Sequence, residues 1–221
     1  MQPSVDQLAS QFSVTGIHFT EGNGGLVKAI IETDRCEGEI YLHGAHITHF
    51  QPRGKSPVLW MSEKSAFAEG KAIRGGVPIC FPWFGPKASD PDAPGHGYAR
   101  IRTWDLLAAE NNDDGDVSLT LGIAIDDFEL KYTATFGRSL GMSLRVTLSD
   151  QASEPASFEE ALHTYLAVED IHQVVVEGLE SAGYIDKVDG MKQKTSNGRI
   201  DKVQWRMRPR LPQHHVDLHP T

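Results

Sequence analysis

The stretch Val117-Ser118-Leu119-Thr120-Leu121-Gly122-Ile123-Ala124-Ile125-Asp126-Asp127-Phe128-Glu129-Leu130-Lys131-Tyr132-Thr133-Ala134-Thr135-Phe136 decides the fold class. It consists of two β-type runs, Val117 to Ile125 and Phe128 to Phe136, rich in β-branched, aromatic and other apolar residues. Turn signals bound it, Asp113-Asp114-Gly115-Asp116 before and Gly137-Arg138 after. Outward from here the same grammar continues. Downstream lie Met142 to Leu148, Ala156 to Val168 and Gln173 to Val176. Upstream lie Trp104 to Leu107, Val58 to Trp60, His46 to Phe50, Glu39 to His43 and Leu26 to Ile31, with Asp34, Gly44 and Pro52-Arg53-Gly54 as breaks. No long segment carries a helical period, and a single helical turn is expected around Val5 to Phe12, in a polar lead-in that runs to residue 24. Many short strands with Gly and Pro punctuation predict an all-β fold, an antiparallel sandwich of packed sheets.

The chain has 221 residues, 39% of them hydrophobic, enough for one domain with a sizeable core. Its 21 basic and 30 acidic residues give a net charge of -9, the wrong field for a general nucleic-acid binder. No apolar run approaches a membrane span, and Met1 to Gln11 lacks the basic-then-apolar order of a secretory signal. A cytoplasmic protein with neither membrane nor nucleic-acid partner is expected. Cys36 and Cys80 lie far apart, form no metal-ligand pair or redox motif, and read as reduced, buried thiols.

One stretch departs from the strand grammar. Arg74-Gly75-Gly76-Val77-Pro78-Ile79-Cys80-Phe81-Pro82-Trp83-Phe84-Gly85-Pro86 is followed by His96-Gly97-Tyr98-Ala99-Arg100. Gly75 and Gly76 permit backbone angles closed to other residues, while Pro78, Pro82 and Pro86 stiffen the chain. The mixture suits a rigid pocket wall. Arg74 and Arg100 offer planar forks of permanently charged donors that match a phosphate or carboxylate. Phe81, Trp83 and Phe84 either present a flat face to a sugar ring or fill a core.

His163 is a second candidate. In Glu159-Glu160-Ala161-Leu162-His163-Thr164-Tyr165-Leu166, strand alternation puts Ala161, His163 and Tyr165 on one face and Glu160, Leu162 and Thr164 on the other. A histidine titrates near neutrality, so one on a concave sheet face can hand a proton to a substrate oxygen; the alternative is a hydrogen-bonded core histidine. Other constellations read as structure. His43, His46 and His49 would share a helical face as metal ligands do, but the local pattern is a strand, where His46 points opposite to the other two, as ordinary strand-surface and core histidines. Asp113 to Asp116 lacks the ligand spacing of a calcium loop. Gly22-Asn23-Gly24-Gly25 lacks the Lys and Ser/Thr of a phosphate-binding loop, and no serine or cysteine sits in a nucleophile elbow.

Taken together, the Arg74 to Pro86 stretch, His96-Gly97-Tyr98-Ala99-Arg100 and Ala161-Leu162-His163-Thr164-Tyr165 resemble the hexose-6-phosphate mutarotases, also called glucose-6-phosphate 1-epimerases, within the wider aldose 1-epimerase group. Leu42-His43-Gly44-Ala45-His46, Val58-Leu59-Trp60-Met61-Ser62 and Tyr184-Ile185-Asp186-Lys187-Val188 fit in the same order, so the likeness covers roughly residues 15 to 195. The resemblance implies an antiparallel β-supersandwich of the galactose-mutarotase type and interconversion of the α and β anomers of a hexose 6-phosphate. It implies no cofactor and no metal. Under it, His163 is the general acid toward the ring oxygen, a carboxylate takes the anomeric proton, Arg74 and Arg100 hold the substrate through its phosphate, and His96 lines the site. A monomer is expected.

Departures concentrate at the end. The family's basic glutamate lies on a later strand, absent from these residues. From about Asn197 the composition changes: Trp205 to His215 is basic, proline-broken and without alternation, and no strand is expected there. Asp201-Lys202-Val203 matches only part of a family segment. The expectation is a mutarotase-like β-sandwich domain over 1-197, incomplete at its C-terminus, and a non-family tail over 198-221. Glu159 and Glu160 are not expected to replace the base. Missing strands would leave an open sheet edge through which chains can associate. The segment between Val117 and Phe136 also lacks a Trp-Pro insertion of the family. Besides the impaired or intact isomerase, a silent carbohydrate-phosphate binding protein and a β-sandwich interaction protein remain open.

Overall fold

The computed structural model describes residues 2–186, 189–196, 209–210 and 215–218, the last two stretches by backbone alone. Lys187, Val188, the triplet Asp201 to Val203 and most of the 198–221 tail lie outside the described residues. Two compact units emerge, 1–167 with 215–221, and 168–214.

The first unit opens with the helix α1, Val5–Gln11, at the predicted place. A reciprocal cap explains its start: Ser4 Oγ accepts from Gln7 N–H at 3.2 Å, and Gln7 Oε1 accepts from Ser4 N–H at 3.0 Å. β1 (Ile17–Glu21), β2 (Val27–Glu32), β3 (Cys36–Tyr41) and β4 (His46–Pro52) then form an antiparallel four-stranded meander. After the short β5 (Ile79–Cys80) comes a second four-stranded antiparallel sheet of β6 (Asp105–Asn111), β7 (Val117–Ile125), β8 (Phe128–Phe136) and β9 (Leu140–Leu148), in that order. β7 and β8 have the bounds expected from sequence, with Val117 opposite Phe136 and Ile125 opposite Phe128. Along β8, Phe128, Leu130, Tyr132, Ala134 and Phe136 are buried while Glu129 and Lys131 are exposed, the alternation of a strand with one face on a core.

The two sheets pack face to face. A Cβ on Gly38 of β3 would stand 2.5 Å from the Phe136 ring of β8, so only glycine lets the sheets approach this closely there. Phe50 of β4 meets Phe136 with ring centroids 6.3 Å apart, and Trp104 and Tyr132 are buried in the same core. β9 ends its sheet, with the half-buried row Leu140, Met142, Leu144, Val146 and Leu148 packed against that core.

Several strand expectations need correction. Glu39 to His43 is not one run: β3 stops at Tyr41, and Leu42 to Ala45 turns into β4, with Gly44 and Ala45 at φ 76° and 45°. Ala156 to Val168 is broken into β10 (Ala156–Glu159) and β11 (Ala161–Leu162), and Val58 to Trp60 forms a single bridge, Leu59 to Leu166. In the second unit, Gln173 to Val176 is no strand. A one-turn 3-10 helix occupies Ile171–Gln173, because Asp170 caps it by accepting from His172 N–H at 2.9 Å. β12 (Gly183–Asp186) pairs with β13 (Lys192–Thr195) and with β14 (Pro209–Arg210). β15 (His215–Leu218) pairs with β10 in the first unit. Strand pairing therefore occurs inside the stretch from which sequence predicts none. Ladders form between backbone groups and need no side-chain alternation, and Pro209 opens its strand, where a missing N–H is tolerated.

Candidate functional site

The glycine- and proline-rich stretch is held as one rail of an antiparallel ladder, with the segment after β10 as the other. Glu159 N–H donates to Pro82 O at 3.0 Å, Ala161 lies opposite Cys80, His163 N–H donates to Pro78 O at 3.0 Å and Tyr165 N–H donates to Gly76 O at 2.9 Å. A third segment closes the end of this ladder. Gly76 N–H donates to Trp60 O at 2.8 Å, Trp60 N–H to Tyr165 O at 2.9 Å, and Tyr165 N–H back to Gly76 O, a closed triangle of backbone bonds.

The ladder aligns a row of rings. Trp60, about half exposed, meets Tyr165 at 5.9 Å between centroids; Tyr165 meets His163 at 4.9 Å; His163 stacks on Phe84 at 5.7 Å; and Phe84 meets His96 edge-on at 4.6 Å. His163 and His96 are 6.1 Å apart. The open question about the three aromatics resolves unequally. Phe81 is fully buried against Phe128 and Phe158 and fills the core; Trp83 is buried against Tyr98 with Lys87 Nζ 4.6 Å from its ring centroid and its Nε1–H bonded to Pro94 O at 3.1 Å; Phe84 lines the row. Its amide is fixed by Glu159 Oε2, which accepts from Phe84 N–H at 2.9 Å.

His96 occupies the left-handed region at φ 67°, unusual for a residue with a side chain. A reciprocal pair with Gly85 holds it there: His96 N–H donates to Gly85 O at 2.7 Å, and Gly85 N–H donates to His96 Nδ1 at 3.2 Å. An acceptor at Nδ1 puts the imidazole proton on Nε2 in the neutral ring.

Arg100 sits on a 3-10 turn, Ala99–Ile101, and is partly buried. Its Nη2 donates to Gly95 O at 2.5 Å, while its Nε is buried without a hydrogen-bond partner among the described residues. Burial lowers its pKa, opposed by the neighbouring Cys80 and Tyr165 and reinforced by Arg74, so the four groups share one electrostatic neighbourhood. Arg74 is exposed, with its N–H bonded to Ser65 Oγ at 2.9 Å. Cys36 and Cys80 are both buried free thiols, and burial pushes Cys80 up to about 11 against the pull of Arg100. An underpaired guanidinium donor beside a second arginine is the arrangement that an anion completes.

Sequence reasoning passed over Trp60 as a plain strand residue. The signal was there, since Leu59 is buried and its neighbour must turn outward. The three histidines of the 43–49 stretch also depart from simple alternation. His43 and His46 are both fully buried and His49 is partly exposed, because the left-handed Gly44 and Ala45 stand between the first two. Burial drives His46 down to about 4 from an ordinary value of 6.5. The folded chain refuses a proton that the unfolded chain accepts, so stability present above pH 6.5 is lost as pH falls toward 4. The loss attributable to this group is about 3 kcal/mol. Urea midpoints measured across that range should fall less steeply in His46→Gln than in the wild type.

A family model described as aldose 1-epimerase matches residues 29–204. A curated protein of Salmonella typhimurium named "Putative glucose-6-phosphate 1-epimerase" is 37% identical over 186 residues, covering 79% of this chain and 62% of the relative. The chain thus spans less than two thirds of that relative's length. A crystal structure titled as a putative mutarotase from Salmonella typhimurium superposes with a TM-score of 0.75 at 31% identity, over 84% of this chain and 62% of that one. A galactose mutarotase-like protein from Clostridium acetobutylicum, 13% identical, shares the fold with a TM-score of 0.63 over 82% of this chain and 65% of its own.

Proposed function

The chain belongs to the aldose 1-epimerase family, and from that premise we propose that it binds a hexose 6-phosphate and interconverts its α and β anomers. Arg74 and Arg100 take the phosphate, His96 offers its Nε2–H to a sugar oxygen, and Phe84 and Trp60 give the ring flat faces to pack on. His163 is the acid. Its proton goes to the ring oxygen as the bond from that oxygen to C1 breaks, while the anomeric hydroxyl gives its proton to a carboxylate and C1 becomes an aldehyde. Rotation about C1–C2 and reclosure on the other face, with the protons returned, complete the exchange.

The observation that carries this reading is the convergence of His163 and His96, 6.1 Å apart and both against Phe84, with the incompletely paired Arg100 electrostatically coupled to Tyr165 of the same row. Anomer exchange of glucose 6-phosphate, followed by NMR line exchange, should be accelerated by the protein, and exchange of unphosphorylated glucose much less. Arg100→Ala should weaken glucose 6-phosphate binding by about tenfold to a hundredfold, the range of a lost charged hydrogen bond. Equal affinity in wild type and variant would remove the arginine from the phosphate site.

A second reading, sugar-phosphate binding without turnover, is favoured by one observation. The carboxylate fixed to this wall, Glu159, is engaged as a backbone cap on Phe84. Saturable binding with no acceleration of exchange would select it.

A further inference from the structure

Two fully buried histidines lie behind the arginines, and the row of rings does not use them. His43 Nε2 is 2.7 Å from Lys71 O, and His46 Nε2 is 2.8 Å from Gly75 O. A carbonyl only accepts, so in both rings Nε2 carries the proton, and each Nδ1 is buried without a hydrogen-bond partner among the described residues. The two acceptors are the two ends of the segment that carries Arg74. Between them Ile73 is buried against Leu26 and Tyr41.

We propose that the turn between β3 and β4, together with the first residue of β4, is the positioning device of the phosphate grip, with His43 and His46 as positioning residues that orient the Arg74 segment. This rests on the assignment of Arg74 to the substrate phosphate. Gly75 and Gly76 lie at φ 98° and 59°, and a peptide between two glycines turns over at little cost, so this one is held at both ends, Gly76 N–H by Trp60 O at 2.8 Å and Gly75 C=O by His46. His46 holds its end from a tightly packed site, since a Cβ on Gly76 would stand 2.9 Å from His46 Nε2 and 2.2 Å from Ile47 O. The other bonds on Arg74 come from a partly exposed turn, Ser65 Oγ on its N–H and Ser62 N–H on its C=O. The same loop also bonds the chain just past Arg100, since Gly44 N–H donates to Arg102 O at 2.7 Å and Trp104 N–H to Leu42 O at 2.8 Å, and it lies against Arg100 itself, where a Cβ on Gly44 would stand 2.8 Å from Arg100 O. One stretch, residues 42–46, therefore touches the backbone of both segments that carry the arginines.

The test uses His46→Leu, which removes the donor, and His46→Gln, whose amide restores one. Without ligand, limited trypsin cleavage after Lys71 and Arg74 is compared with cleavage after Lys131, in the middle of β8. His46→Leu should raise the ratio about tenfold, the size expected when a buried carbonyl loses its donor, and His46→Gln should return it toward wild type. An unchanged ratio, or a rise shared by Lys131, overturns the proposal. With glucose 6-phosphate, His46→Leu should weaken binding in the wild-type background and add nothing in Arg74→Ala; an equal added loss there also overturns it. If the wild type does not bind the sugar phosphate, the assignment of function falls, and proteolysis still decides whether the imidazole holds the loop.

Discussion

His163→Ala is expected to reduce the acceleration of glucose 6-phosphate anomer exchange by about 10²- to 10⁴-fold, the range supplied by a positioned proton donor, while leaving binding nearly unchanged. The split follows from the division of labour in the site. The imidazole stacks on Phe84 and touches Tyr165, and its backbone is bonded to Pro78, so removing the ring leaves the ladder intact. The arginines that would hold the phosphate belong to other segments. Exchange rates from NMR and affinities from calorimetry check both halves. Exchange that survives the substitution, or affinity lost in proportion to rate, would remove His163 from the role of acid.

Gly97→Ala should be the most damaging single methyl group in the site. Gly97 lies at φ 75°, and an added Cβ would stand 1.9 Å from Phe81 O, 2.3 Å from Phe81 C and 2.7 Å from Pro82 N, all backbone atoms with no room to yield. Left-handed strain and overpacking together cost about 3–5 kcal/mol. For a chain of this size that lowers Tm by about 10 °C. The clash falls on the bridge between Phe81 and Gly97, which joins the Phe84 wall to the His96 turn, so binding of the sugar phosphate should fail as well. A variant with wild-type Tm and affinity would mean that the two segments are not in this register.

How far the chain could be read beforehand depends on whether local pattern and tertiary partner agree. β7 and β8 were legible to the residue because β-type composition and the turn chemistry at both ends agree, and along β8 burial alternates as well. The segment from Ala156 to Val168 was legible as extended chain but not as a broken rail, since its interruption is set by pairing with Pro78 and Gly76, far away in sequence. Alternation brought His163 and Tyr165 to one face, and their rings do meet. The same rule failed at His43 and His46, where two left-handed residues reset the phase. Gln173 to Val176 has strand-like composition, but Gln173 closes the turn capped by Asp170 and only Val176 makes a bridge. Aromatic content alone could not separate Phe84 from Phe81 and Trp83, because the three differ only in which neighbours reach them.

The closed triangle of Trp60, Gly76 and Tyr165 has a consequence for biosynthesis. Its corners come from three segments of which the last is translated long after the first two, so in a nascent chain the Arg74 segment has its bonds to His46, Ser65 and Trp60 available but lacks the rail that ends at Tyr165 until that residue appears. The row of rings, to which His163 and Tyr165 belong, is then completed in one late step of synthesis.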